Sequence, residues 1–161
     1  MNACLKNQNG DIVNPKIPRY EKESATFTVK NTRDITFTNT YKKFPFDTTT
    51  NNNSKKFILQ SDGSVLIGKG IKKIVVSGST SLSGISGEQI RRLSIFKNDS
   101  IINRTQMSFG GYQSFVLPPK TVDVVEGDNI SMQISGSNNP SGTASCSTEI
   151  TYMTLQEVWE S

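Results

Sequence analysis

Asp123, Glu126 and Asp128 lie close together, and clustered carboxylates are the oxygen ligands that calcium takes in flexible geometry. Their spacing is not that of an EF-hand, and Gly127 between two acids is equally the chemistry of a tight turn, with Asp128 capping it. The turn is the plainer reading. A second candidate is Gly63-Ser64-Val65-Leu66-Ile67-Gly68-Lys69-Gly70, which has the Gly, four-residue spacer and Gly-Lys of a phosphate-binding loop. Gly70, however, stands where a Ser or Thr must ligate magnesium. The following Ile71-Lys72-Lys73-Ile74-Val75-Val76 reads as strand where that loop needs a helix, so two strands with Gly turns is the reading adopted. Asn98-Asp99-Ser100, Asn103-Arg104-Thr105 and Asn129-Ile130-Ser131 fit the glycosylation pattern, as chance also provides in a chain rich in Asn, Ser and Thr. Tyr41, Phe109, Tyr112 and the Lys42-Lys43-Phe44-Pro45-Phe46 stretch could stack on a sugar ring or pack on a core or edge.

Other chemistry is excluded by composition. The chain has no histidine and two cysteines. Ser-His-Asp and Cys-His triads, His-ligated zinc and His-ligated haem are therefore ruled out, as are self-contained zinc and iron–sulfur sites. Cys4 and Cys146 form no recognisable framework; a bridge between them stays open, with reduced thiols favoured. A glycosidase-type carboxylate pair also stays open, although the acids are few and mostly in turns. The expectation is a chain with no catalytic residue, cofactor or resident metal.

These residues sit on short strands. Ala25, Phe27 and Val29 alternate with Thr26, Thr28 and Lys30, and Ile35 and Phe37 with Thr36 and Thr38, a period of two rich in Thr and Phe. Further strands follow: Phe57–Gln60, Val65–Ile67, Ile74–Val76, Leu93–Phe96, Tyr112–Leu117, Val122–Val124 and Ile130–Ile134. Turns at Ser61-Asp62-Gly63-Ser64, Lys97-Asn98-Asp99-Ser100 and Glu126-Gly127-Asp128-Asn129 separate several of them. Ser86-Gly87-Glu88-Gln89 could open a helix as a capping box, but the alternation at Leu93 and Ile95 argues for strand. Many short strands with Gly, Asn and Ser turns mean an all-β sandwich or barrel. Residues 1–24 show no period, and Pro15 and Pro18 break any regular element, so they read as an extended arm.

The 161 residues fit one domain with an arm, and 34% hydrophobic content allows a core. Residues 1–60 carry ten Lys/Arg against five Asp/Glu, and residues 61–161 carry eight against nine. The basic N-terminal third is read as a solvated or docking arm, since no nucleic-acid motif accompanies it. No apolar run approaches the roughly 18 residues of a membrane span, and the first residues lack a secretory pattern. The expected partners therefore include neither nucleic acid nor membrane.

The last strand, Glu149 to Trp159, reads as apolar on both sides: Ile150 and Tyr152 on one, Met153, Leu155 and Trp159 on the other. A sandwich strand normally wets one face. Either the arm covers the second face or another subunit does. Subunit contact is preferred, because Met153, Leu155 and Trp159 exposed together would make a sticky patch.

The order of strands and turns resembles the C1q-like branch of the complement and tumour-necrosis-factor jelly rolls. The matching pieces are Phe57–Leu66, Leu93-Ser94-Ile95-Phe96-Lys97-Asn98-Asp99 and, most recognisably, Val124-Val125-Glu126-Gly127-Asp128-Asn129-Ile130-Ser131-Met132. Tyr152 to Trp159 corresponds to the family's final core strand at the trimer axis. Asp99 departs from the family's usual Gly. The start, Leu5-Lys6-Asn7-Gln8-Asn9-Gly10-Asp11-Ile12-Val13-Asn14-Pro15, resembles the leader of many bacteriophage tail and baseplate proteins, with Asn14 where that leader often has Tyr.

The resemblance implies a two-sheet jelly-roll sandwich, homotrimeric, with residues 1–33 as a virion-attachment arm and 34–161 as the jelly-roll domain. It further implies a non-enzymatic structural protein of a phage head fibre or tail or baseplate appendage, made in the bacterial host cytoplasm and located in the virion. Host-surface attachment or particle decoration is the expected role. The arm would bind other virion proteins, and host carbohydrate is a candidate ligand. The expected oligomer interface is Tyr152, Met153, Leu155 and Trp159. The candidate ligand-contact loops hold Asn51, Asn52, Asn53, Tyr112, Asn138 and Asn139, in loops 47–54, 79–87 and 136–147. A carbohydrate-active enzyme or monomeric carbohydrate-binding module on a β-sandwich is the alternative.

Overall fold

The computed structural model describes residues 26–30, 35–37, 39–50, 55–136, 142–144 and 151–159, the side chains at 26, 36, 83–89, 109–112 and 142–144 excepted. The strands are β1 (Thr26–Lys30), β2 (Ile35–Phe37), β3 (Lys42–Lys43), β4 (Thr48–Thr50), β5 (Phe57–Leu59), β6 (Val65–Ile67), β7 (Lys73–Lys97), β8 (Ser100–Asp123), β9 (Asn129–Gly136), β10 (Gly142–Ala144) and β11 (Tyr152–Glu157). No helix occurs among the described residues.

β7 and β8 run through both layers of a sandwich. In the first layer β4, β1, β11, the first half of β7 and the second half of β8 lie side by side, all antiparallel. In the second, the first half of β8 pairs with the second half of β7, which pairs with β9; β6 and β3 continue from β9, and β5 from β6. The β7–β8 register shifts between Leu82 and Ile85 and again between Ile85 and Gln89. Irregularities of this kind let a strand turn a corner from one sheet to the other. The Ser/Gly/Thr composition of 77–87 reflects that bend: the segment is strand, and the capping-box alternative at Ser86 does not form a helix.

Alternation supplies the core. Phe27 and Val29, Ile74 and Val76, Phe115 and Leu117, and Met153 and Leu155 point inward from the first layer. Leu93 and Ile95, Ile130, Met132 and Ile134, and Phe57, Val65 and Ile67 meet them from the second, nearly all with no exposed surface. Each such burial contributes roughly 1.5–3 kcal/mol. Gly63, at φ +83°, turns beneath the 44–46 segment so tightly that a Cβ would lie 2.2 Å from the Phe44 carbonyl oxygen.

Two expectations are corrected. β1 falls inside the span assigned to the arm, 1–33, yet it is an internal strand of the first layer with Phe27 and Val29 in the core. The sandwich therefore begins by Thr26. The final strand does not have two apolar sides. It alternates, with Met153, Leu155 and Glu157 buried and Tyr152, Thr154 and Gln156 facing out.

Candidate subunit-contact surface

The outward side of the first layer is laid down in rows by strand register. Lys30, Tyr152, Ser79 and Val116 form one row; Thr28, Thr154 and Ser77 the next; Gln156, Val75 and Thr121 a third. Small hydroxyl side chains dominate, and the Thr28 and Thr154 hydroxyls are 3.1 Å apart. Tyr152 is half-buried, and Val116 is 62% exposed. The Ser79 hydroxyl donates to the Phe115 carbonyl at 3.1 Å. The Ser81 hydroxyl oxygen is buried with no hydrogen-bond partner, which a structure normally avoids unless a further group arrives.

The side of the sandwich next to this face is an edge: among the described residues β8 pairs with β7 alone. Pro118 and Pro119 interrupt its second half, where a missing N–H blocks further pairing. The first half has no proline from Ile101 to Ser108 and exposes Ile101 (43%) and Met107 (37%). Between the halves lies an open groove of ≈ 500 Å³ lined by Ile101, Ile102, Asn103, Arg104 and Lys120. The Asn103 amide donates across it to the Pro118 carbonyl at 2.8 Å.

Of the four residues expected at an interface, Tyr152 lies on the outward face. Met153 and Leu155 have 0% exposure and are spent in the subunit's own core, so they have no surface to offer a second copy. Trp159 lies past the end of β11, 38% exposed, with the Lys56 ammonium 4.4 Å from its ring centroid. The described strands that flank the candidate loops lie at two different ends of the molecule. Thr48–Thr50 runs antiparallel beside Lys30–Thr28, and the Gly68 N–H donates to the Lys56 carbonyl, so Thr50 and Lys56 lead towards the end where β1 enters. Tyr112 sits in β8 between residues paired to Ile85 and Leu82, and 137–141 is bracketed by Gly136 beside Arg91 and Gly142 beside Phe37, both at the opposite end. Asn51, Asn52, Asn53, Asn138 and Asn139 lie outside the described residues, as does the Tyr112 side chain.

The chemistry-bearing candidates are largely tied up in structure. Asp128 Oδ1 accepts from the Asn98 amide at 3.0 Å and Oδ2 from the Val125 N–H at 2.9 Å, with the Lys97 ammonium 3.4 Å away. Burial alone would raise its pKa, but these donors bring it below the ordinary carboxylate value. No metal-binding group of His, Cys, Asp or Glu occurs among the described residues. The amides of Asn98, Asn103 and Asn129 each donate inside the protein, to Asp128, Pro118 and Ser64. Phe44 and Phe46 are core residues, stacked 5.8 Å apart. Tyr41 packs edge-on against Phe96, and its hydroxyl accepts from Ser94 at 3.2 Å. Burial would raise the Tyr41 pKa, but hydrogen bonds with Ser94, Arg104 and Ser135 outweigh it and lower the value.

Sequence reasoning passed over Arg91. It has 0% exposure, lies 5.5 Å from the Phe37 ring centroid and donates to the Ile90 carbonyl at 3.1 Å. Burial lowers its pKa. The signal was present: counting back by twos from Ile95 and Leu93 puts Arg91 on the core side.

No family model and no curated protein matches the chain. Solved structures do. Murine APRIL at pH 5.0 superposes with a TM-score of 0.65 at 11% identity, over 84% of this chain and 100% of that one. Eiger TNF from S. frugiperda does so with a TM-score of 0.60 at 10% identity, over 86% of this chain and 94% of the other. The fold is a tumour-necrosis-factor-like jelly-roll sandwich.

Proposed function

We propose that the chain is a non-enzymatic, homotrimeric jelly-roll module of a bacteriophage particle, fastened through the residues before Thr26 and serving host-surface attachment or particle decoration. The observation that carries the assembly is the pairing of an outward sheet face, built around Tyr152, Val116 and Ser79, with an adjacent β8 edge. A face on one copy and an edge on the next make a heterologous contact, which closes into a ring when the rotation permits. The jelly-roll resemblance favours closure at three. Docking of the edge onto a neighbour's face would cover the edge's own Ile101 and Met107 and bring a partner to Ser81.

Placement in a virion rests on the leader-like residues Leu5 to Pro15. Thr26, the first described residue of β1, pairs with Gln156, and that end of the sandwich would be turned towards a particle. The opposite end, where Tyr112 and the strands flanking 137–141 meet, would face outward to a host. Immunogold labelling of purified phage particles tests the reading. Label on a head or tail appendage is expected; particles that lack the chain contradict it.

A further inference from the structure

We propose that a polar cleft on the outward side of the second layer binds a neutral sugar residue. The proposal rests on the host-attachment reading for the source of the sugar, and it names the ligand's chemistry. The cleft, ≈ 360 Å³, is lined by Lys43, Asn98, Asp99, Asn129, Ser131 and Gln133. That volume is at the small end of the range for small-molecule sites. Three elements bring the lining together. β9 contributes Asn129, Ser131 and Gln133, which alternate with the core residues Ile130, Met132 and Ile134 and so face outward. β3 sets Lys43 beside Gln133. The β7–β8 turn adds Asn98 and Asp99; Asn98, at φ +53°, accepts the Asn129 N–H on its Oδ1 at 2.9 Å.

Internal hydrogen bonds anchor the amide nitrogens and leave the oxygens to a ligand. Asn129 Nδ2 donates to the Ser64 hydroxyl at 2.8 Å, and Gln133 Nε2 donates to the Ser131 hydroxyl at 3.1 Å. Among the described residues no donor reaches Asn129 Oδ1, Gln133 Oε1 or the Asp99 carboxylate. Ser131 accepts from Gln133 and keeps its own O–H to donate; the Lys43 ammonium, 2.5 Å from Asp62, keeps further N–H groups. Fixed acceptors beside a few donors match hydroxyl groups, each of which both donates and accepts. None of the six lining residues is apolar or aromatic, which disfavours a greasy ligand. Asp62 neutralises Lys43, so Asp99 is the uncompensated charge of the lining and repels an anion. β7 separates β9 from the β8 edge, so contact through that edge and the first-layer face leaves the cleft open. A threefold assembly would present three such clefts, and a weak single site would gain by avidity.

Saturation-transfer NMR on the full-length protein tests the site, with methyl glucoside, methyl galactoside and N-acetylglucosamine as neutral probes beside glucuronic acid and tetraglycine. At least one neutral sugar is expected to bind, with a Kd of roughly 1 mM. Asp99→Ala and Gln133→Leu are each expected to weaken that binding at least about fivefold at an unchanged circular-dichroism spectrum. Glu126→Ala makes the same charge change at an exposed acid outside the cleft and is expected to weaken it less than about twofold. No transfer to any neutral sugar, wild-type binding in either cleft variant, equal loss in Glu126→Ala, or tighter binding of glucuronic acid or tetraglycine would overturn the proposal. Immunogold labelling of particles separates it from the reading it rests on. Labelled particles whose protein binds no neutral sugar remove this site alone, and sugar binding through Asp99 and Gln133 by a chain absent from particles removes the virion reading alone.

Discussion

Glu157 occupies an inward position of β11 with 4% exposure, and Lys56, whose side chain keeps 26%, supplies its counter-charge at 2.5 Å. The two partners should not be equally replaceable. Lys56→Met leaves a carboxylate buried without its cation and is expected to destabilise by about 3 kcal/mol, whereas Glu157→Gln leaves a lysine that can reach water and should cost about 1 kcal/mol. Urea denaturation midpoints measure the difference; equal losses would mean that Glu157 is hydrated. Asp62 gives a pH signature. Hydrogen bonds from Lys43 and then Ser64 hold its pKa at about 2 against an ordinary 3.8. A depressed acid stabilises above the unfolded pKa and loses that contribution as pH falls through the folded one. Stability should therefore decline between about pH 4 and pH 2, by less than about 1 kcal/mol for a side chain this exposed. Asp62→Asn should flatten that part of a thermal-melt profile.

Turns and strands show how much could be read from the chain. Gly63 and Gly70 both have positive φ, 83° and 87°, but only Gly63 has backbone against the place where a Cβ would go. Gly70→Ala should cost about 1–2 kcal/mol for left-handed backbone alone. Gly63→Ala should exceed that, because Phe44 to Phe46 would have to move; equal midpoints for the two variants would refute the difference. The sandwich and most strands were legible because Phe27/Val29, Leu93/Ile95 and Ile130/Met132/Ile134 alternate cleanly. β11 was not, because its inward row reads Met-Leu-Glu and its outward row opens with Tyr152. The acid at the third inward position, neutralised by a lysine from a distant turn, hid the period. Trp159 lies beyond the strand and belongs to neither row. Arg91 was missed for the same reason: a charged residue on the core side breaks the apolar rule while obeying the geometric one. Register across sheets, which sets Tyr152 beside Ser79 and Val116, is a non-local property that no single stretch of chain displays.

At the scale of the whole molecule, the sandwich has two distinct ends. Lysines and Trp159 gather where β1 enters and β11 leaves; the β7–β8 bend and the strands around 137–141 form the other. Between them lie the hydroxyl-rich outward face and the β8 edge, which no other described strand than β7 pairs and whose backbone invites association. An interface of Ser, Thr, Tyr152 and Val116 is less apolar than that of most obligate oligomers, so its centre should be sensitive to one buried charge. The most direct test is multi-angle light scattering of the full chain and of Val116→Glu. The wild type should have three times the 17.7 kDa chain mass, and Val116→Glu, folded by circular dichroism, should fall to one chain. A wild-type chain that stays monomeric at every concentration tried, or a Val116→Glu variant that remains a trimer, would contradict assembly through this face.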